Sequence, residues 1–173
     1  MTTDRVRLVP FGAAHLQATL EWVNDREMMR LLGRVMPVTV DQHHRWFETL
    51  ASRSDCRYFA VEATDGHVHV GNIWLWDIDR RHRRAEVRIL FGSGAGRDRG
   101  LGSEAIDALA RLAFSTMDLH RLYAYVMILN PRAARAFEKA GFTREGLLRE
   151  DRWTGDSWVD THILGRVLSD SPD

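Results

Sequence analysis

Polar and apolar residues alternate at Arg5-Val6-Arg7-Leu8-Val9, the period of a strand with one buried face. Pro10 and Gly12 end it. The spacing then becomes helical: Leu16, Leu20 and Val23 form one stripe between Ala13 and Asn24, with Trp22 beside it. A second short helix is predicted over Arg26 to Leu32. A third is predicted over His43 to Ser52, capped by Thr39 or Asp41. Tyr58-Phe59-Ala60-Val61-Glu62 reads as a strand again. Asp65-Gly66 marks a tight turn, and Val68 to Leu75 answers as the partner strand of a hairpin. Asp77 to Arg84 reads as a charged loop and Ala85 to Phe91 as another strand.

Gly92 to Gly102 holds five glycines in eleven residues and leads into a helix over Ser103 to Thr116. The apolar stripe of that helix is Ile106, Leu109, Ala110, Ala113 and Phe114. Arg121 to Met127 is a mostly apolar strand. Asn130 and Pro131 start a further helix as cap and first helical residue, and Gly141 ends it. Two strands, Thr143 to Trp153 and Ser157 to Val167, flank a turn at Thr154-Gly155-Asp156. This order specifies an α/β (α+β) fold, with a mixed sheet of about seven strands and about four helices. Without repeats or long linkers, residues 1–173 read as a single domain.

Composition narrows the function. Hydrophobic residues make up 45% of the chain, enough for a packed core. The 24 basic and 24 acidic residues balance, which argues against nucleic-acid or membrane binding driven by bulk charge. Cys56 is the only cysteine, so no intrachain disulfide forms. Met1 to Pro10 lacks the apolar core of a secretion signal, and no apolar run is long enough to span a bilayer, so a cytoplasmic protein is expected. His43 and His44 are adjacent and cannot share a helix face, so no metal site is expected.

The candidate chemistry starts at Arg97-Asp98-Arg99-Gly100-Leu101-Gly102-Ser103. A glycine-rich turn between a strand and a helix exposes free amides at the positive end of the helix dipole, an anion cradle. Gly100 and Gly102 let backbone approach phosphate closely, and Arg97 and Arg99 add charge. A Walker loop is excluded because it needs Lys and then Ser or Thr after its last glycine, and Leu101-Gly102 stands there instead. The dinucleotide fingerprint fits poorly, because this loop follows the fourth strand.

A second block, Asn130 to Phe142, reads Asn-Pro-Arg-Ala-Ala-Arg-Ala-Phe-Glu-Lys-Ala-Gly-Phe. Together the two blocks resemble the GNAT superfamily of N-acetyltransferases, which use acetyl-CoA. The first block is similar to its pyrophosphate loop, the second to its Asn-x-x-Ala/Ser…Glu-Lys-x-Gly-Phe helix. Ala85-Glu86-Val87 and Trp158-Val159-Asp160 resemble the ribosomal-protein N-terminal acetyltransferase (RimJ/RimL-like) branch. Trp22-Val23-Asn24-Asp25 and His44-Arg45-Trp46-Phe47 resemble the amino-sugar branch.

The resemblance implies that the fourth and fifth strands splay, with the pantetheine arm lying between them. Backbone groups of Ile89, Leu90 and Phe91 would hold that arm, and Asn130, Arg135 and Phe137 would line its other side. Glu86 is the implied general base, acting through water; a strand-end surface acid is the alternative. Phe137 stands where many members carry the Tyr that protonates the leaving thiolate. Ala133 stands where the RimJ/RimL type often has Ser. Water, Tyr125 or Tyr123 would take that role, the tyrosines only if they are not core residues. Trp22, Asn24 and His44 are implied acceptor contacts. Trp74 and Trp76 share a side of their strand and form either an aromatic wall or core. Trp153 and Trp158 flank the last turn, at the acceptor mouth or at a homodimer contact.

The expected acceptor is a small-molecule primary amine, either an amino sugar or an amino acid-like metabolite. The alternatives are a protein N-terminus, and a CoA-binding regulatory or degenerate domain with no turnover.

Overall fold

The computed structural model describes residues 1–92 and 100–170. The strands are β1 (Val6–Pro10), β2 (Arg57–Ala63), β3 (Val68–Asp79), β4 (Arg84–Phe91), β5 (Arg121–Met127), β6 (Thr143–Trp153) and β7 (Trp158–Val167). The helices are α1 (Leu16–Val23), α2 (Arg26–Leu31), α3 (Val40–Leu50), α4 (Leu101–Thr116) and α5 (Pro131–Lys139). The seven strands form one mixed sheet in the order β1-β2-β3-β4-β5-β7-β6. Only β4 and β5 pair in parallel.

That parallel ladder is short. It joins Arg84 to Arg121, Ala85 to Leu122 and Glu86 to Tyr123, and then stops. Beyond it, Val87 to Phe91 of β4 and Ala124 to Met127 of β5 have no ladder contact with each other. The expected splay is therefore present, with its vertex at Glu86 and Tyr123.

Strand alternation gives the sheet two unlike faces. Leu8, Val61, Ile73, Leu75, Val87, Leu122 and Ala124 are buried with Ala105, Ile106, Leu109 and Ala113 of α4 in one core. The opposite face carries Tyr58, Trp74 and Arg88 in one cross-strand row, and Trp76, Glu86 and Tyr123 in the next. Near α1 that face is polar but satisfied. His69 Nε2 donates to Asn72, the Asn72 amide donates to Thr19, and Thr19 donates to the His15 carbonyl. On the core side, Arg166 of β7 is 4% exposed. It donates to Asp107 of α4 at 2.9 Å and to the Ala140 carbonyl at the end of α5 at 2.7 Å.

Several boundaries differ from expectation. The charged loop is only the turn 80–83, because β3 runs on to Asp79 through a bulge, with Asp77 at φ 52°. α3 begins at Val40 rather than His43. Thr39 caps it by accepting from Gln42 N–H, and the Gln42 side chain returns the bond, so Asp41 is not the cap. Tyr123 and Tyr125 are not core residues, and Tyr125 is 42% exposed. The Arg97, Asp98 and Arg99 part of the glycine-rich loop lies outside the described residues.

Gly71 of β3 is a close-approach position: a Cβ there would stand 2.5 Å from the Leu90 carbonyl and 3.0 Å from the Phe91 ring. Gly71→Ala is expected to cost about 1–3 kcal/mol by displacing β4, read from urea denaturation.

Candidate functional site

Two cavities open along the gap between β4 and β5. The first encloses about 270 Å³ and is lined by Ile89, Leu90 and Phe91 of β4, the start of α4, and one face of α5. Gly100 adopts φ 76° and turns the chain into α4, and the Ser103 hydroxyl donates to the Gly100 carbonyl. The first-turn amides of α4 thus face a cavity that also carries Arg132, Arg135 and Lys139 of α5 and no acidic lining residue among those described. Glu104, the one acid in that turn, is directed away. It is held by Thr3, by the Arg5 amide at 2.9 Å and by the Arg5 guanidinium at 2.7 Å. Burial opposes its charge, but these bonds outweigh it and keep the carboxyl below its ordinary range. Helix amides, three cations and an unpaired strand edge make a fitting site for a phosphorylated ligand with an amide-bearing arm.

The second cavity encloses about 460 Å³ on the other side of the gap. It shares Ile89, Leu90, Asn130 and Ala133 with the first, together with Leu31 and Leu32 at the end of α2, so the two meet at the gap between the splayed strands. Its walls include Trp46, Tyr58, Trp74, Trp76 and Tyr125. Tyr58 stacks on Trp74 with centroids 4.5 Å apart, and Trp46 meets Tyr58 edge-on at 5.3 Å. Burial pushes the Tyr58 hydroxyl well above its ordinary range, so it stays a neutral donor. Glu86 is 7% exposed at the vertex, and both its oxygens accept from Arg88 at 2.7 Å. Each oxygen retains a second lone pair, so the carboxylate can still accept a proton through water. Phe137 is 2% exposed and packs edge-on against Phe142 at 5.0 Å. It closes the inner wall of the second cavity and offers no hydroxyl.

A model of the acetyltransferase (GNAT) domain matches residues 5–143. The chain belongs to the GNAT acetyltransferase family. Relatives include the spermidine N(1)-acetyltransferase of Vibrio cholerae, 32% identical over 107 residues, covering 60% of this chain and 59% of that enzyme. The uncharacterized N-acetyltransferase YoaA of Bacillus subtilis is 26% identical and covers 96% of both chains. Human alpha/beta-tubulin-N-acetyltransferase 9 is 25% identical over 80% of this chain and 72% of that one. Among solved structures, the Vibrio cholerae spermidine N-acetyltransferase in complex with CoA and spermine superposes with a TM-score of 0.88. It is 22% identical, and the match covers 97% of this chain and 98% of that one. The family's cofactor is acetyl-CoA, and the donors lining the first cavity suit its phosphates.

Most residues expected at a GNAT cofactor site line the first cavity: Ile89, Leu90, Phe91, Gly100, Gly102, Ser103, Asn130 and Arg135. Leu101 is buried, and Phe137 lines the second cavity instead. Trp74, Trp76, Glu86 and Tyr125 line the second cavity. Three expected acceptor contacts line neither. Trp22 packs over the backbone of Gly92 and against His69. The Asn24 amide exchanges two hydrogen bonds, at 2.8 and 2.7 Å, with the backbone of Val38. His44 is exposed, because His43 takes the inward position on α3. Sequence reasoning missed Arg34, Tyr58, Arg88, Arg152 and Thr161 as lining residues. The signal for Thr161 was its phase: Val159 and Thr161 are the buried alternate positions of β7.

No helix among the described residues is long and apolar enough to cross a membrane. Nor do the described residues hold a cluster able to bind a metal ion.

The cavity is a phosphate cradle only if its backbone geometry matters. Gly100→Val, which forces a side chain into φ 76°, is expected to raise the CoA Kd at least about tenfold. Unchanged affinity by calorimetry would remove this loop from the cofactor site. A pH effect follows from one buried and one half-buried imidazole. Burial lowers the pKa of both His43 and His69 from 6.5. The unfolded chain therefore takes up protons that the folded one refuses, so stability is full above 6.5 and declines as pH falls below it. The melting temperature should drop between about pH 7 and pH 5.5, and His69→Gln should flatten that slope.

Proposed function

We propose that the protein transfers the acetyl group of acetyl-CoA to a primary amine of a small molecule, directly, within a ternary complex. The observation that carries this reading is the meeting of the two cavities at Ile89, Leu90, Asn130 and Ala133. An acceptor in the aromatic chamber would thereby face a thioester held along β4. Alignment of this kind contributes several kcal/mol to a bimolecular transfer, about 7–11 in the best cases.

In this reading Glu86 takes the amine proton through water as the N–C bond forms. Arg88 holds its carboxylate oriented at the vertex. A backbone amide on the open edge of β4 stabilises the developing oxyanion. As the C–S bond breaks, Tyr125 supplies the proton that neither Phe137 nor Ala133 can. The demand on it is modest, since a free thiol has a pKa of about 8.5 and the thiolate leaves tolerably without help.

Spermidine is the acceptor in the names of several relatives, and tubulin in another. Thiol release should be measured with spermidine, amino sugars, amino acids and peptides beginning with Ala or Ser. Turnover of a small amine supports the proposal. Turnover confined to peptides favours a protein N-terminal acetyltransferase. CoA binding without any turnover favours a regulatory domain. Glu86→Gln is expected to lower kcat by about 10²–10⁴-fold and to alter its pH dependence; an unchanged profile would remove Glu86 as the base.

A further inference from the structure

Among the described residues the charged lining of the acceptor chamber is unequal: Arg34, Arg88 and Arg152 against one carboxylate, Glu86. Arg88 is engaged with Glu86, and Arg152 lies 3.0 Å from Asp151. Arg34 has no ion pair or side-chain hydrogen bond among the described residues, yet its charge is felt at both Tyr58 and His43. Resting on the transfer reading above, we infer that the acceptor carries an oxyanion, a carboxylate or a phosphate, besides its amine, and that Arg34 binds it.

The backbone holds Arg34 in place. Its amide donates to the Met29 carbonyl at 2.8 Å, continuing the end of α2. A Cβ on Gly33 would touch Met127 at 3.6 Å, and one on Gly155 would meet Val35 at 3.0 Å. The segment between α2 and α3 is thus seated on β5 on one side of Arg34 and on the β6–β7 turn on the other. Farther along, Asn24 pins Val38. A guanidinium on so well anchored a segment loses less entropy on binding an anion than one on a free loop.

A second observation points the same way. Thr161 is 1% exposed and lines this chamber, and its hydroxyl has no hydrogen-bond partner among the described residues. A buried hydroxyl without a partner is costly, and a bound polar group recovers that cost. A polyamine offers the arginines of this chamber the wrong sign. It brings several positive charges to a chamber whose one carboxylate is already paired, and Arg34 and Arg88 repel it. An amine that also carries an oxyanion satisfies both groups, with the amine toward Glu86 at the vertex and the oxyanion toward Arg34.

Matched pairs test this. Thiol release from acetyl-CoA is followed with L-phenylalanine against phenethylamine, with phosphoethanolamine against ethanolamine, and with spermidine. At least one oxyanion-bearing member should exceed its neutral partner in kcat/KM by about tenfold or more, and should exceed spermidine. Which pair shows the larger ratio separates carboxylate from phosphate. Arg34→Gln should raise KM for that acceptor about tenfold with kcat nearly kept, Arg34→Lys should restore part of it, and phenethylamine should be unaffected.

Quenching of the chamber tryptophans by the same probes, with CoA bound, gives a readout independent of turnover. Saturable quenching that Arg34→Gln abolishes, without turnover of any amine, would sink the transfer reading and leave the oxyanion site standing. Faster turnover of spermidine or phenethylamine would overturn the inference. So would an Arg34→Gln variant with unchanged KM and quenching, or the absence of both turnover and quenching.

Discussion

The structure depends on a ladder that stops. β4 and β5 pair over three residues and then part, so a strand edge that would ordinarily be satisfied in the middle of a sheet is left open. An unpaired central edge is costly unless something occupies it. The resemblance implies that this occupant is the cofactor's arm, which would make cofactor binding a completion of the sheet. The splay also sets where the reacting centre can be. The two cavities meet at the gap and beside the end of α2, and Glu86 sits where the gap closes.

The rest of the molecule holds that gap open. α4 buries its apolar stripe under one face of the sheet and brings its N-terminal amides to the cofactor side. Arg166, through Asp107 and the Ala140 carbonyl, ties α4, α5 and β7 together behind the gap, on the β5 side. The chain just before β1 is tied to the start of α4 through Glu104, on the other side. On the opposite face, α1 and α3 leave part of the sheet uncovered, and the aromatic row of Tyr58 and Trp74 becomes chamber wall instead of core.

Loss of the usual tyrosine has a structural counterpart. Phe137 is fully packed against Phe142 at the inner wall, a position where burial is its whole contribution. Proton supply would then shift to the exposed edge of β5, where Tyr125 has solvent contact. Such a shift weakens the coupling between thiolate departure and proton transfer, a modest loss for a leaving group that is already stable as an anion near neutral pH.

The strands, the helices and the cofactor blocks were legible along the chain, because each rests on a local rule. Alternation, a 3.6-residue stripe, an Asn-Pro start and a glycine-rich turn act over short stretches and need no distant partner. The acceptor chamber was legible only in part. Trp74, Trp76, Glu86 and Tyr125 share strand faces, and face is a matter of parity. Trp22, Asn24 and His44 were assigned by resemblance, and their side chains instead meet Gly92, Val38 and solvent. The chamber also takes Arg34 from a loop, Arg88 from β4, Arg152 from β6 and Thr161 from β7, residues scattered along most of the chain. Their grouping comes from strand register and from the seating of one loop on a hairpin turn, and both are set by long-range packing. Local chemistry along the chain told which cofactor would bind; only the packed chain decided which charges the acceptor would meet.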